Sequence, residues 1–226
     1  MNLRCPKALW LAALLVFALS VSGFAQCGHP NELYCQPWDG GSNLFASQND
    51  TISFGNFATV YDNFTLSSSE DIESLHWVGG YFNPPQQGPI TAWTATFWTN
   101  NAGQPGTAIT AINQAGTANE TFISNVNGFP IYSYDMSFAS VNLSPGEYWV
   151  SVVPDLGFPP QWGWASGTGG DGIAWQDFSG VRTQLAFDMA FAIDGHGVST
   201  TPEPGTLVML GTGILGLAGT IRRKLS

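Results

Sequence analysis

Two stretches of alternation set the fold class. In residues 132–138 the even positions Tyr132, Tyr134, Met136 and Phe138 are apolar or aromatic, and the odd positions are polar. In residues 185–194 the odd positions Leu185, Phe187, Met189, Phe191 and Ile193 are large and apolar. A period of two belongs to a strand with one buried face and one wet or lightly packed face. Residues 91–99 repeat the pattern, with Trp93, Ala95 and Phe97 inward and Trp98 on the opposite face. Residues 147–153 form a β-branched and aromatic run entered by the turn Ser144, Pro145, Gly146. Residues 51–66, 72–81, 108–112 and 120–126 are weaker strand candidates. The body sustains no helical period.

Turn residues punctuate these runs: Asn83 before two prolines, Asn100–Gly103, Asn127 with Gly128, and Gly169 with Gly170. Many short strands joined by such turns predict an all-β domain, and at this length a jelly-roll-like β-sandwich. Strand order is not readable from the sequence.

The two ends are addresses. Arg4 and Lys7 precede an apolar run over residues 8–19, and Gly23 and Ala25 stand where a signal peptidase reads small residues. Residues 1–25 are therefore read as a signal peptide, cut after Ala25, rather than as a transmembrane anchor. A lipoprotein signal fits poorly, because Gln26 rather than a small residue precedes Cys27. At the other end, residues 205–221 hold 17 positions without a charge, the lower limit for a spanning helix. Five of the 17 are Gly, which weakens a permanent anchor. The basic tail 222–226 should stay cytoplasmic and leave the body outside.

Pro202, Glu203 and Pro204, a short Gly-rich apolar helix, and the cluster Arg222, Arg223, Lys224 follow one another at the end of the chain. This tripartite tail resembles the PEP-CTERM protein-sorting signal of exported proteins in bacteria with a Gram-negative-type envelope. The resemblance implies recognition by an exosortase, a membrane-embedded transpeptidase-like enzyme, with cleavage near the Pro-Glu-Pro motif. It also implies an association with exopolysaccharide and biofilm. The body more loosely resembles uncharacterised ectodomains found ahead of such tails, through residues 62–66, 75–81, 143–151 and 162–164. That likeness implies a fold class and no activity. The expected organisation is a signal peptide (1–25), a β-sandwich ectodomain (26–197), a linker (198–204), a transmembrane helix (205–221) and a basic tail (222–226).

Between residues 26 and 204 Arg182 is the only Lys or Arg, against sixteen acids, a net charge of −15. Such a body cannot neutralise phosphates, so nucleic acid is excluded as a partner. It repels anionic polymers unless divalent cations bridge them, and calcium is the counter-ion suited to oxygen ligands outside the cell. Cys27 and Cys35 are expected to pair as a disulfide in an oxidising compartment. A metal site of Cys27, His29 and Cys35 is the competing reading, but it lacks a fourth ligand.

No histidine stands in a hydrolase motif, and His76, between Leu75 and Trp77, is expected to point away from the core as a surface side chain. Sixteen acids offer many carboxylate pairs, none distinguished. No catalytic residue and no required cofactor are assigned. Sugar rings stack on exposed aromatic faces, so the segment 158–177 supplies the candidate glycan site: Trp162, Trp164 and Trp175 beside Asp171 and Asp177. The same Trp could instead fill the core. Asp171 and Asp177 are also the candidate calcium ligands. Three roles are expected in this order: a non-catalytic structural or exopolysaccharide-associated protein, a divalent-cation-dependent carbohydrate-binding module, and a secreted hydrolase. The expected partners are signal peptidase, an exosortase, the membrane through the C-terminal helix, and exopolysaccharide. The expected location is the envelope surface or extracellular matrix.

Overall fold

A computed structural model describes residues 27–198. The expected signal peptide, the Pro-Glu-Pro motif, the expected transmembrane segment and the basic tail lie outside the described residues. No helix occurs among the described residues, and the strands form two sheets.

The strands are β1 (Glu32–Gln36), β2 (Leu44–Ala46), β3 (Gln48–Asp50), β4 (Gly55–Leu66) and β5 (Glu70–Phe82). There follow β6 (Ala92–Asn100), β7 (Pro105–Ala115), β8 (Thr121–Val126), β9 (Phe129–Leu143) and β10 (Gly146–Asp155). The chain closes with β11 (Gln161–Gly167), β12 (Ala174–Phe178), β13 (Val181–Leu185), β14 (Asp188–Met189) and β15 (Phe191–Gly197). One sheet has eight strands along the path β1-β15-β5-β11-β14, with β2 on β11, β9 on β5 and β8 on β9. The other has seven, in the order β13-β12-β4-β3-β10-β6-β7, with β4 also paired to β10. The chain passes from one sheet to the other between β2 and β3, where buried Ser47 donates from its hydroxyl to Val152 O at 2.6 Å.

The core lies between the sheets and is strongly aromatic. Trp77 of β5 meets Trp93 of β6 with ring centroids 4.8 Å apart, and Trp93 meets Trp162 of β11 at 4.9 Å. Tyr134 stacks on Trp77 at 5.6 Å. The edge-to-face and offset contacts suit the ring quadrupoles and add to the hydrophobic gain of burial. The inward sets expected from alternation hold: Trp93, Ala95 and Phe97 on β6, and Tyr132, Tyr134 and Met136 on β9, are all buried.

Two expected strands are broken. Residues 51–54 form a turn held by the Asp50 carboxylate, so β4 begins only at Gly55. Residues 185–194 divide among the end of β13, β14 and the start of β15. Asp188, on what alternation marked as the wet face, is instead buried and accepts the N–H groups of Gly170 and Gly172 at 3.0 and 2.6 Å. Among the inward odd positions Leu185 packs half-buried on the core and Met189, Phe191 and Ile193 are buried in it, whereas Phe187 is exposed. Cys27 and Cys35 are joined as a disulfide, with Cα atoms 5.5 Å apart.

Candidate functional site

The outward face of the seven-stranded sheet carries side chains of a different kind from the core. On β4 the even positions Val60, Phe64 and Leu66 join the core, which turns Thr59, Tyr61 and Asn63 outward. Register extends this face across the sheet. Tyr61 stands opposite Trp175 of β12 and Ser151 of β10, and Ser151 opposite Thr96 of β6. One step along, Trp149 lies opposite Asn63 and Trp98. Opposed residues in a ladder point to the same side, so four aromatic rings and a row of hydroxyls share this face, with Trp98 and Trp175 its partly exposed rings.

A cavity of about 280 Å³ opens here, with Thr59, Tyr61, Thr96, Trp98 and Ser151 in its wall. A second, of about 410 Å³, shares Asn56, Thr59 and Tyr61 with it and runs on to Asp177 and Arg182. Together they form one groove across β12, β4, β10 and β6. Trp98 and Tyr61 meet edge to face with ring centroids 5.4 Å apart, and the Trp98 indole N–H donates to Ser151 Oγ at 3.0 Å.

At one end of the groove Arg182 donates twice to Asp177, 2.7 Å each, and lies over the Tyr61 ring at 5.4 Å. The Tyr61 hydroxyl donates to Asp177 at 3.0 Å. Hydrogen bonding from Arg182 holds the Asp177 carboxyl below its ordinary range. Burial, then the Asp177 charge, pushes the Tyr61 phenol up to about 12. The pair is thus ionised, and the phenol stays a neutral donor at any working pH. Further along the same face Glu147 accepts from Asn63 at 3.0 Å and from Asn100 at 2.6 Å, and Asn63 donates also to Asp171 at 2.9 Å. This clasp lies on the same face as Trp149, which is fully buried and donates to Asn100 Oδ1 at 3.1 Å.

The five residues singled out by sequence divide. Trp175 and Asp177 lie on the groove face of β12, and Asp171 on the adjoining loop. Trp162 and Trp164 share one face of β11, as their spacing requires, but that face is the core, where both have 0% exposure. Gly79 of β5 makes the room: a Cβ there would lie 2.1 Å from the Trp162 ring. Neither indole offers a face to a ligand, and their N–H groups go to Tyr134 Oη and Ala190 O, at 3.1 and 2.9 Å. Trp175 is half-buried and donates to Gly103 O at 3.0 Å. Asp171 and Asp177 do not converge: Asp177 is engaged by Arg182, and Asp171 by Asn63 and the Ile173 N–H. Among the described residues, the clusters of three side chains close enough to share an ion are Cys27 with Glu32 and Cys35, and His29 with His76 and Asp194. The first contains the disulfide and so has no thiolate to offer.

Tyr61, Thr96 and Ser151 were not marked by sequence. They come from three strands far apart in the chain, and no local signal relates them. Trp98 was placed on the outer face by its parity alone.

Next to the groove an apolar cavity of about 260 Å³ is lined by Phe54, Phe57, Phe158 and Phe178. Phe54 in its wall is 66% exposed, and Ile52 and Val181, close in sequence to Phe54 and Phe178, are exposed by 74 and 65%.

A model of the PEP-CTERM protein-sorting motif matches residues 200–224. No curated protein and no solved structure matches the chain. The match coincides with the tail of Pro202, Glu203, Pro204, Arg222, Arg223 and Lys224 picked out by sequence. The chain therefore carries the PEP-CTERM sorting signal of an exported, envelope-associated substrate of an exosortase.

Proposed function

We propose that the ectodomain is a non-catalytic, exopolysaccharide-associated module that holds a glycan in the groove across β12, β4, β10 and β6. The observation that carries this reading is the partly exposed Trp98 ring in one groove wall, backed by the nearly buried Tyr61 ring and the hydroxyls of Thr59, Thr96 and Ser151. Aromatic surface beside fixed hydrogen-bonding groups is the chemistry of a hydroxyl-rich ring with an apolar face. The Asp177–Arg182 pair balances its own charge inside a body of net charge −15. An uncharged glycan is therefore favoured over an anionic one. The reading needs no calcium, because Asp171 and Asp177 are satisfied separately. The non-catalytic part is supported by the position of Asp62, a carboxyl whose pKa burial pushes well above its ordinary value. It is buried in the interior with 0% exposure and does not face the groove.

Binding of the purified exported protein to exopolysaccharide from its own cells tests the reading. Saturable binding should be weakened about 10-fold by Trp98→Ala, roughly the 1.4 kcal/mol of one aromatic contact. Trp175→Ala should weaken it less. Binding that is absent with calcium and with EDTA, or untouched by Trp98→Ala, would remove the groove from consideration. The exposed Ile52, Phe54, Phe178 and Val181 favour a second reading, a coat or scaffold protein that associates with other proteins through this patch. Retention of the C-terminal segment in Glu203→Ala, read by mass in the native host, tests the sorting assignment separately.

A further inference from the structure

We infer that His29, His76 and Asp194 form a binding site for one divalent transition ion of the zinc class on the outer face of the eight-stranded sheet. Strand pairing positions two of the ligands. Asp194 of β15 stands opposite Ser74 of β5, and Ala192 opposite His76. Leu75 and Ile193 take the core side, so His76 and Asp194 emerge together on the outer side. The third ligand is carried by the segment that the Cys27–Cys35 disulfide closes. Glu32 steadies it by accepting the N–H groups of Gly28 and His29, at 2.8 and 3.4 Å.

Two imidazole nitrogens converge on one carboxylate oxygen. His76 Nε2 lies 2.9 Å and His29 Nδ1 3.8 Å from Asp194 Oδ2. One ligand atom from each of the three side chains lies within 4.8 Å of the others. With metal–ligand bonds of 2.0–2.2 Å, donors around a tetrahedral zinc stand about 3.3 Å apart. The two observed distances bracket that spacing. The rings of His29 and His76 are stacked with centroids 4.7 Å apart, so coordination requires the His29 ring to turn about its own side-chain torsions, which a loop residue permits.

A second observation points the same way. Among the described residues, His29 Nε2 and Asp194 Oδ1 are buried atoms without a hydrogen-bond partner. Buried polar atoms are nearly always paired, and Asp194 Oδ1 is the second oxygen of the carboxylate on which the two rings converge, so that carboxylate keeps acceptor capacity for an ion. Two imidazoles and one carboxylate suit zinc and its neighbours rather than calcium, which takes oxygen ligands. The surplus of acids on the body raises the local cation concentration. Three protein ligands leave the fourth position to water or an outside oxygen. Bound there, the ion would tie the N-terminal loop to the sheet.

The test is metal uptake by the untagged exported protein with its disulfide intact, using zinc and cobalt(II) salts alone. One ion per chain is expected, with the strong visible absorption of four-coordinate cobalt. Tm should rise by about 5–10 °C at metal 100-fold above Kd. His29→Ala and His76→Ala should each raise Kd by about 100-fold, and calcium should not compete. His29 lies outside the core, so near-UV circular dichroism of the tryptophans should be unchanged in its variant. His196→Ala, at the exposed cluster with Asp71 and Glu73, should bind as the unaltered protein does. No stoichiometric uptake, uptake unchanged in both His29→Ala and His76→Ala, or loss only in His196→Ala would overturn the site.

Discussion

Asp50 and Asp62 are both buried carboxyls, and their surroundings drive them in opposite directions. Burial works to raise the Asp50 pKa. It is outweighed by the N–H groups of Phe158, Ile52 and Phe54 and by the Ser53 hydroxyl, so the carboxyl is held well below its ordinary value. A depressed folded pKa gives stability that is present above the unfolded value near 3.9 and is lost as pH falls toward the folded one. Asp50→Ala is expected to cost about 1–3 kcal/mol in urea unfolding at pH 7, because several N–H groups lose their acceptor. The difference from the unaltered protein should shrink below about pH 4. For Asp62 burial wins. Its pKa is pushed well above the ordinary carboxylate range despite N–H groups from Met189 and Asn63, with Asp188 and Asp171 adding repulsion. With its nitrogen facing Asp62, the Gln36 amide donates to Met189 O and Asp62 Oδ2, both at 2.7 Å. A raised carboxyl pKa has the opposite sign: stability falls as pH rises from the unfolded toward the folded value. Asp62→Asn, which cannot ionise, should therefore gain on the unaltered protein between pH 4 and pH 7. Urea titrations at the two pH values measure this, and a constant difference would show that folding does not raise the Asp62 pKa.

Strand β11 shows what alternation can and cannot tell. Residues spaced by two share a face, so Trp162 and Trp164 point the same way. Which way depends on what covers that face, and the flanking glycines read equally well as a loop around exposed rings. In the folded chain those glycines are where bulky groups pass. A Cβ on Gly163 would press on the Phe82 ring at 2.8 Å, and one on Gly79 would meet the Trp162 ring. Gly79→Ala is expected to destabilise the protein by about 1–3 kcal/mol through overpacking, with a change in Trp fluorescence. Gly128→Ala, at a turn where no neighbouring atom obstructs a Cβ, should leave the Trp signal unchanged. An identical signal in Gly79→Ala would mean that β5 and β11 are not packed as described. By contrast β6 was legible in full, because Trp93, Ala95 and Phe97 alternate with threonines that leave one choice of core face.

The molecule as a whole must stay folded against its own charge. Arg182 supplies the one Lys or Arg ion pair of the described residues, so attraction offsets little of the repulsion among the acids. Raising sodium chloride from 0.01 M to 0.15 M shortens the Debye length from about 30 Å to about 8 Å. Tm should then rise, by about 2–4 °C for each kcal/mol of repulsion relieved. A fall in Tm with salt, followed by scanning calorimetry, would show net attraction among the surface charges instead. The same charge distribution constrains both proposed sites. It favours a neutral ligand in the groove, where Arg182 is already paired, and a cation beside Asp194.

Sequence alone determined the sorting address, the all-β class, the disulfide partners and the inward set of β6. Each of these is written locally: in a charge order, a period of two, or a spacing of a few residues. Tertiary structure decided which faces are covered and which strands are neighbours. Trp162 and Trp164 entered the core because β11 pairs with β5 at its glycines. Tyr61, Ser151 and Thr96 came together because β4, β10 and β6 are adjacent in the sheet. His29, His76 and Asp194 met because β15 pairs with β5 and the disulfide-closed loop folds over both. Pairing between distant strands depends on the burial of the whole core, and no short window of sequence contains that information.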